Sequence, residues 1–197
     1  KYGKLKRTEE AVTEQIADTE SEISHLESIS NALDIARSES DLSQIKEELT
    51  EYGYIKRHYT GGKKVKITSK PYHYLSSDGF DIYVGKNNYQ NDELTFRLAR
   101  KDDIWCHASK VHGSHVIISC GGTTPPDDTV TQAAQLAAYY AETGGGQNIP
   151  VDVTAVKQVK KIPNGKPGMV IYHTYRTVIA NPYPDIVVDA LNAETKE

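Results

Sequence analysis

Cysteine, methionine and tryptophan are nearly missing from this 197-residue chain, at two, one and one. Two cysteines, Cys106 and Cys120, are too few for a disulfide framework, and their spacing matches no zinc motif. A reducing, cytoplasmic setting is the default that follows. No apolar run approaches the ~18 residues of a membrane span. The polar opening "KYGKLKRTEE" is no signal peptide. It also lacks an initiator Met, which reads as a fragment of a longer protein and leaves an upstream export signal open.

Acid is scarce in one place. From Ile55 to Lys70 there is no Asp or Glu, against Lys56, Arg57, Lys63, Lys64, Lys66 and Lys70. The overall charge of −4 therefore conceals three unlike segments. Residues 1–54 carry 6 Lys/Arg and 13 Asp/Glu, residues 55–118 carry 11 and 6, and residues 119–197 carry 6 and 8. A clustered basic segment is what a polyanion responds to, whatever the average.

What is present at the start is a polar, helix-favouring stretch. Leu5, Val12, Ile16, Ile23, Leu26 and Leu33 fall on alternating three- and four-residue steps, with Thr19 and Ser30 in the seam. That narrow stripe predicts a coiled-coil-type arm over residues 1–54, which needs a second segment of the same protein or a second copy to cover it. A leader with mere helical propensity is the alternative. "SESD" interrupts the arm, and Asp41 is the expected cap of a second helix carrying Leu42, Ile45 and Leu49. Residues 55–71, with Gly61-Gly62, read as a basic linker: solvated, or touching a polyanion.

The period then switches to two. "YHYLSSDGFDIYVG" predicts a hairpin, and "DIWCHAS" and "SHVIISC" predict two strands joined by "KVHG". Asp92 is expected to cap a short helix that sets Arg97 and Arg100 on one face. "PPDDTVTQAAQLAAYYAET" predicts a strong helix, with Pro before it, acid in its first turn and Gly144 as its stop. "VDVTAV" reads as a strand and "GMVIYHTYRTVIANP" as a final hairpin. Residues 72–197 are thus expected to form an α+β domain, a mostly antiparallel sheet with one main packed helix.

The stretch "DDIWCHASKVHGSHVII" holds the candidate chemistry. Cys106 and His107 alternate on a strand and cannot share an ion, and His107, His112 and His115 match no zinc spacing. Ser114 beside His115 lacks the strained elbow of a serine nucleophile. An enzyme is therefore not expected. Trp105 and His107 share a strand face, and Trp105 reads as core before it reads as a platform. Lys86, Arg97, Arg100, Lys101 and Lys110, with Asn87, Asn88, Gln90 and Asn91, form a set suited to anions and base edges. That reading requires the cations to gather on one side of the sheet.

"GFDIYVGKNNYQNDELT", the Trp105 stretch, "AAQLAAYYAET" and "VKQVKKIPNGKPGMVIY" together resemble the NFACT-R domain of the bacterial RqcH/fibronectin-binding-protein-A-like proteins. The resemblance covers residues ~55–182, and the preceding helices resemble the end of that family's coiled-coil arm. His112 stands where the family commonly has Pro. The resemblance implies an RNA-binding module of a ribosome quality-control factor. Its partners would be large-subunit RNA and tRNA, with C-terminal alanine tailing by the full-length protein and no cofactor. It also carries a rival, a cell-surface adhesin for host fibronectin or fibrinogen, working through the final strand or the arm. The RNA-contact set under the first reading is Lys63, Lys64, Lys86, Asn87, Asn88, Asn91, Arg97, Arg100, Trp105, His107, Lys110, Ser114 and His115. Asp92, Asp103 and Gly113 are further motif positions, and the two acids are expected to hold turns.

Overall fold

A computed structural model describes residues 2–56 and 69–182. Lys63 and Lys64 lie outside the described residues. Helix α1 (Tyr2–Ile35) forms where no Pro interrupts and Gly occurs only at position 3. Its threonines Thr8, Thr13 and Thr19 fold back on carbonyls four residues earlier. The predicted stripe is on its surface: Leu5 is 63% and Ile16 53% exposed. A neighbouring stripe is buried instead. His25, Ile29 and Ala32 face α2 (Glu39–Glu51), where Ile45 completes a small apolar cluster with Leu49 and Tyr54. Leu42 of the expected second-helix set stays half exposed.

Asp41 does not cap α2; Ser38 does. The Ser38 hydroxyl accepts from the Asp41 amide at 3.2 Å, and the Asp41 carboxylate accepts from the Ser38 and Arg37 amides. Three residues into the helix, Asp41 is the return half of a capping box.

Strands β1 (Tyr72–Leu75) and β2 (Asp81–Val84) form the expected hairpin, pairing Tyr72 with Val84. Next come α3 (Asn88–Glu93), a π-helical turn (Leu94–Leu98), β3 (Ile104–Ala108) and β4 (Val116–Ile118). Helix α4 (Asp127–Tyr139) and β5 (Ile149–Ala155) follow, then the short β6 (Lys160–Lys161) and β7 (Val170–Ile171), and β8 (Arg176–Ala180). The six-stranded sheet has the order β1-β2-β4-β3-β5-β8, with antiparallel neighbours throughout.

Alternation along the central strands gives the sheet two cores. Cys106, Val116, Ile118, Val151 and Val153 face α4, whose Ala133, Ala134 and Ala137 are small enough to bring the helix close. Trp105 and Ile117 face the other way, onto Leu94, Val156, Val159 and Tyr172. Helix α4 stops at Tyr139, before the expected Gly144. Beyond Tyr140 the chain is claimed by the β3–β4 turn: the Ser114 amide donates to the Tyr140 carbonyl and the Glu142 amide to His112.

Three further local expectations fail. Residues 168–182 do not form a hairpin. β7 pairs with β6 and β8 with β5, and Asp152 of β5 accepts from both Tyr172 and Thr177. Asn87, and not Asp92, caps α3, accepting from the Gln90 amide at 3.0 Å; Asp92 sits inside the helix and pairs with Lys161. Arg97 and Arg100 share no helical face, because the chain turns extended at Ala99 (ψ 144°).

Candidate nucleic-acid interface

The Asn-rich segment after β2 is spent inward. The Asn87 amide donates to Gln44 at 2.8 Å and the Gln90 amide to Gln44 and Ser69. The Asn88 amide donates to Ser28 Oγ at 2.8 Å and to Glu48 Oε1 at 2.9 Å. Lys86 is held by Asp41 at 3.1 Å and lies over the Tyr72 ring. Burial works to raise the Asp41 carboxyl, but the Ser69 hydroxyl, the Arg37 amide and the Lys86 ammonium outweigh it and hold Asp41 below the usual carboxylate range. Four residues expected at RNA, Lys86, Asn87, Asn88 and Asn91, are therefore built into the protein: three join the helical pair to the sheet domain. Asn91 accepts from the His115 amide at 3.0 Å, so close to Gly85 that a Cβ there would lie 2.1 Å from its Oδ1.

Trp105, fully buried, is core. It stacks parallel to His107 at 5.5 Å and meets His115 edge-on at 5.2 Å. Thr95 Oγ1 holds His115 Nδ1 at 2.8 Å. Burial pushes the His107 imidazole down to about 4, against the pull of the Gly113 carbonyl and Asp152. Burial likewise lowers His115 to about 3, with His107 adding to the effect. Both rings are neutral at pH 7. Ser114 lies in the turn before β4; its hydroxyl is buried, with no hydrogen-bond partner among the described residues.

The histidines border a cleft of about 410 Å³ between α1, α3, the β3–β4 turn and the β6–β7 loop. His25 and Ser28 come from α1, Asn88 and Asn91 from α3, and Tyr172 with residues 167–170 from the loop side. Lys110, exposed at the turn, also lines the cleft. His112 reaches Glu27 of α1 at 3.1 Å across the mouth.

The cations do not gather on one side. Lys110 follows the end of β3, whereas Arg97, Arg100 and Lys101 precede its start, roughly 13 Å or more away along the strand. At that far end they acquire company that sequence reasoning missed: Lys157, Lys160 and Lys161. The Lys157 amide donates to the Lys101 carbonyl at 3.0 Å, and the Lys161 ammonium sits 5.2 Å from the Phe96 ring centroid. Lys157 pairs with Asp102 and Lys161 with Asp92. Arg97, Arg100, Lys101 and Lys160 are exposed and make no ion pair with the described residues. The run "VKQVKK" was the available signal, but nothing in it points to Arg97 sixty residues earlier. Asp103 holds this corner, accepting from the Arg100 and Cys120 amides at 2.7 and 2.8 Å.

Two family models match. One, described as the NFACT protein RNA binding domain, covers residues 70–174, and one for the NFACT N-terminal and middle domains covers residues 1–68. The Rqc2 homolog RqcH of Streptococcus suis is 41% identical over 186 residues, 94% of this chain and 33% of that protein. The Bacillus subtilis RqcH is 40% identical over 191 residues, again 33% of its length. The chain thus spans about a third of the curated relatives it matches. A solved structure, the C-terminal part of the fibronectin/fibrinogen-binding protein from Streptococcus suis, superposes with a TM-score of 0.87 at 39% identity, covering 95% of this chain and 74% of that one.

Proposed function

This chain belongs to the NFACT protein family, and on that premise we propose that it is an RNA-contacting module of a ribosome quality-control factor. The observation that carries the reading is the cationic end of the sheet, where the segment holding Arg97, Arg100 and Lys101 is joined to the segment holding Lys157, Lys160 and Lys161 through the Lys157–Lys101 backbone bond and the Lys161–Phe96 contact. Arg97, Arg100, Lys101 and Lys160, which make no ion pair with the described residues, suit a phosphate backbone. In the full-length protein the ligands would be large-subunit RNA and tRNA, in the cytoplasm, in support of C-terminal alanine tailing. The module binds and positions; the reaction is not assigned to these residues. The exposed Leu5–Leu33 stripe of α1 would be covered by another helix of the same protein or by a second copy.

Gel-shift titration against tRNA and ribosomal RNA fragments at two salt concentrations tests the reading. Affinity should fall steeply with salt, and an Arg97, Arg100 and Lys101 triple change to Glu should abolish it. Absent or salt-independent binding overturns it.

A second reading, adhesion to fibronectin or fibrinogen, has one structural support. Strand β8 lies at the edge of the sheet and leaves Ile179 60% exposed, as strand addition requires. A β8 substitution such as Ile179→Lys would weaken adhesion and spare RNA affinity.

A further inference from the structure

The cleft beside the β3–β4 turn plays no part in the grip at the cationic end, and its lining has a chemistry of its own. Among the described residues no carboxylate lines it. Glu48 stands one layer behind, accepting from His25 and Asn88, and Glu27 at the mouth is engaged by His112. The polar part of its lining is imidazole, amide and hydroxyl with Lys110 at the turn, and Val111, Pro167, Met169 and Val170 supply the apolar part. Such a surface accepts and donates hydrogen bonds without repelling an anion.

Its most specific feature is an unfinished stack. Trp105 is sealed inside the protein, and His107 lies over it with ring planes only 11° apart. His107 is itself half-buried and lines the cleft. A flat ring entering the cleft would continue a column that already has two members. At the rim, Lys110 holds a left-handed backbone (φ +59°), a conformation a lysine rarely adopts without surrounding structure to impose it. The backbone thus holds Lys110 at the rim of the cleft. Across the cleft, Gly168 (φ +78°) presses so near Asn88 that a Cβ would lie 3.0 Å from its Oδ1. The volume is at the lower end of the ~300–1,000 Å³ usual for small-ligand sites.

We propose that this cleft receives one nucleotide unit, with its base continuing the Trp105–His107 stack and its phosphate meeting Lys110. The inference deepens the RNA reading and rests on it for biological context. The unit would be a free nucleoside monophosphate or a residue splayed out of a single strand.

Histidine-ring NMR of the 197-residue chain tests it, with AMP, adenosine, inorganic phosphate and a short oligoadenylate as separate probes. AMP should shift the His107 and His115 rings at lower concentration than adenosine or phosphate does. His107→Ala should weaken AMP about tenfold or more, the scale of one base–aromatic stack, while His107→Phe should retain it. Lys110→Gly, which suits the left-handed backbone, should erase the advantage of AMP over adenosine. An oligoadenylate that binds more tightly than AMP identifies a strand residue as the occupant; equal or tighter AMP binding identifies the free nucleotide. Silence of both rings up to millimolar AMP, or shifts untouched by His107→Ala, overturns the proposal. The Arg97/Arg100/Lys101 triple change separates the two ideas, since it should lose RNA and keep AMP. RNA binding with no AMP response sinks the cleft alone, and AMP response in a chain that binds no RNA sinks the RNA reading alone.

Discussion

His25 Nε2 and Glu48 Oε1 stand 2.9 Å apart, each side chain only 1% exposed, at the seam where the helical pair meets the sheet domain. The same carboxylate oxygen accepts from Asn88, and the Tyr54 hydroxyl reaches His25 Nδ1 at 3.2 Å. A buried polar junction of this kind tolerates the loss of a member badly, because the remaining members are left desolvated and unpaired.

Glu48→Ala should therefore destabilise the chain by about 3–5 kcal/mol, the cost of orphaning buried partners. Glu48→Gln, which keeps an acceptor oxygen, should cost markedly less. Urea unfolding of both variants decides it; equal losses would mean that volume, and not the hydrogen-bond network, matters at this position.

Stability should fall with acid earlier than carboxylate titration alone would bring. His107 and His115 have folded values lowered to about 4 and about 3, while an unfolded imidazole titrates near ~6.5. The unfolded chain thus binds protons first. The stabilisation is fully present above the unfolded value and drains away as the pH falls from about 6.5 towards the folded values. Urea midpoints at pH 7.5, 6 and 5 should decline, and His107→Phe should flatten the slope while leaving the pH 7.5 midpoint nearly unchanged.

At the cationic end, each phosphate contact removed should reduce the salt dependence of RNA affinity. For single strands the log–log slope should shrink by about 0.7 per lost contact. Arg100→Ala and Lys160→Ala are the informative single changes, and filter binding across four salt concentrations reads them. A uniform loss of affinity with an unchanged slope would speak against phosphate contact by these residues.

Gly85→Ala should perturb His115 without touching it. The added Cβ would fall 2.1 Å from Asn91 Oδ1, which accepts from the His115 amide. Displacing that amide should cost about 1–3 kcal/mol. The His115 ring resonances should move along with the thermal midpoint. An unperturbed His115 would show that Asn91 does not position it.

Much of the architecture could be read directly. The two-residue period of "YHYL" and "DIYV" and the turn between them specify a hairpin with Tyr72 opposite Val84. The same period puts Trp105 and His107 on one face and Cys106 on the other. The Ala-rich α4 announces itself through Pro126, Asp127 and Asp128. The stripe of α1 is equally plain, because a seam of this kind is a local pattern.

What the order of residues determined, then, is the local conformation and which side chains share a face, since both follow from backbone geometry within a few positions. Only the tertiary structure decided what each face meets. It engaged Asn87 with Gln44 and Asn88 with Glu48, because an amide serves a ligand or a neighbour equally well. It separated Lys110 from Arg100 by the length of β3 and brought Lys157 to Lys101 instead. Neither outcome leaves a local trace, since both depend on chain segments brought together from forty to sixty residues away.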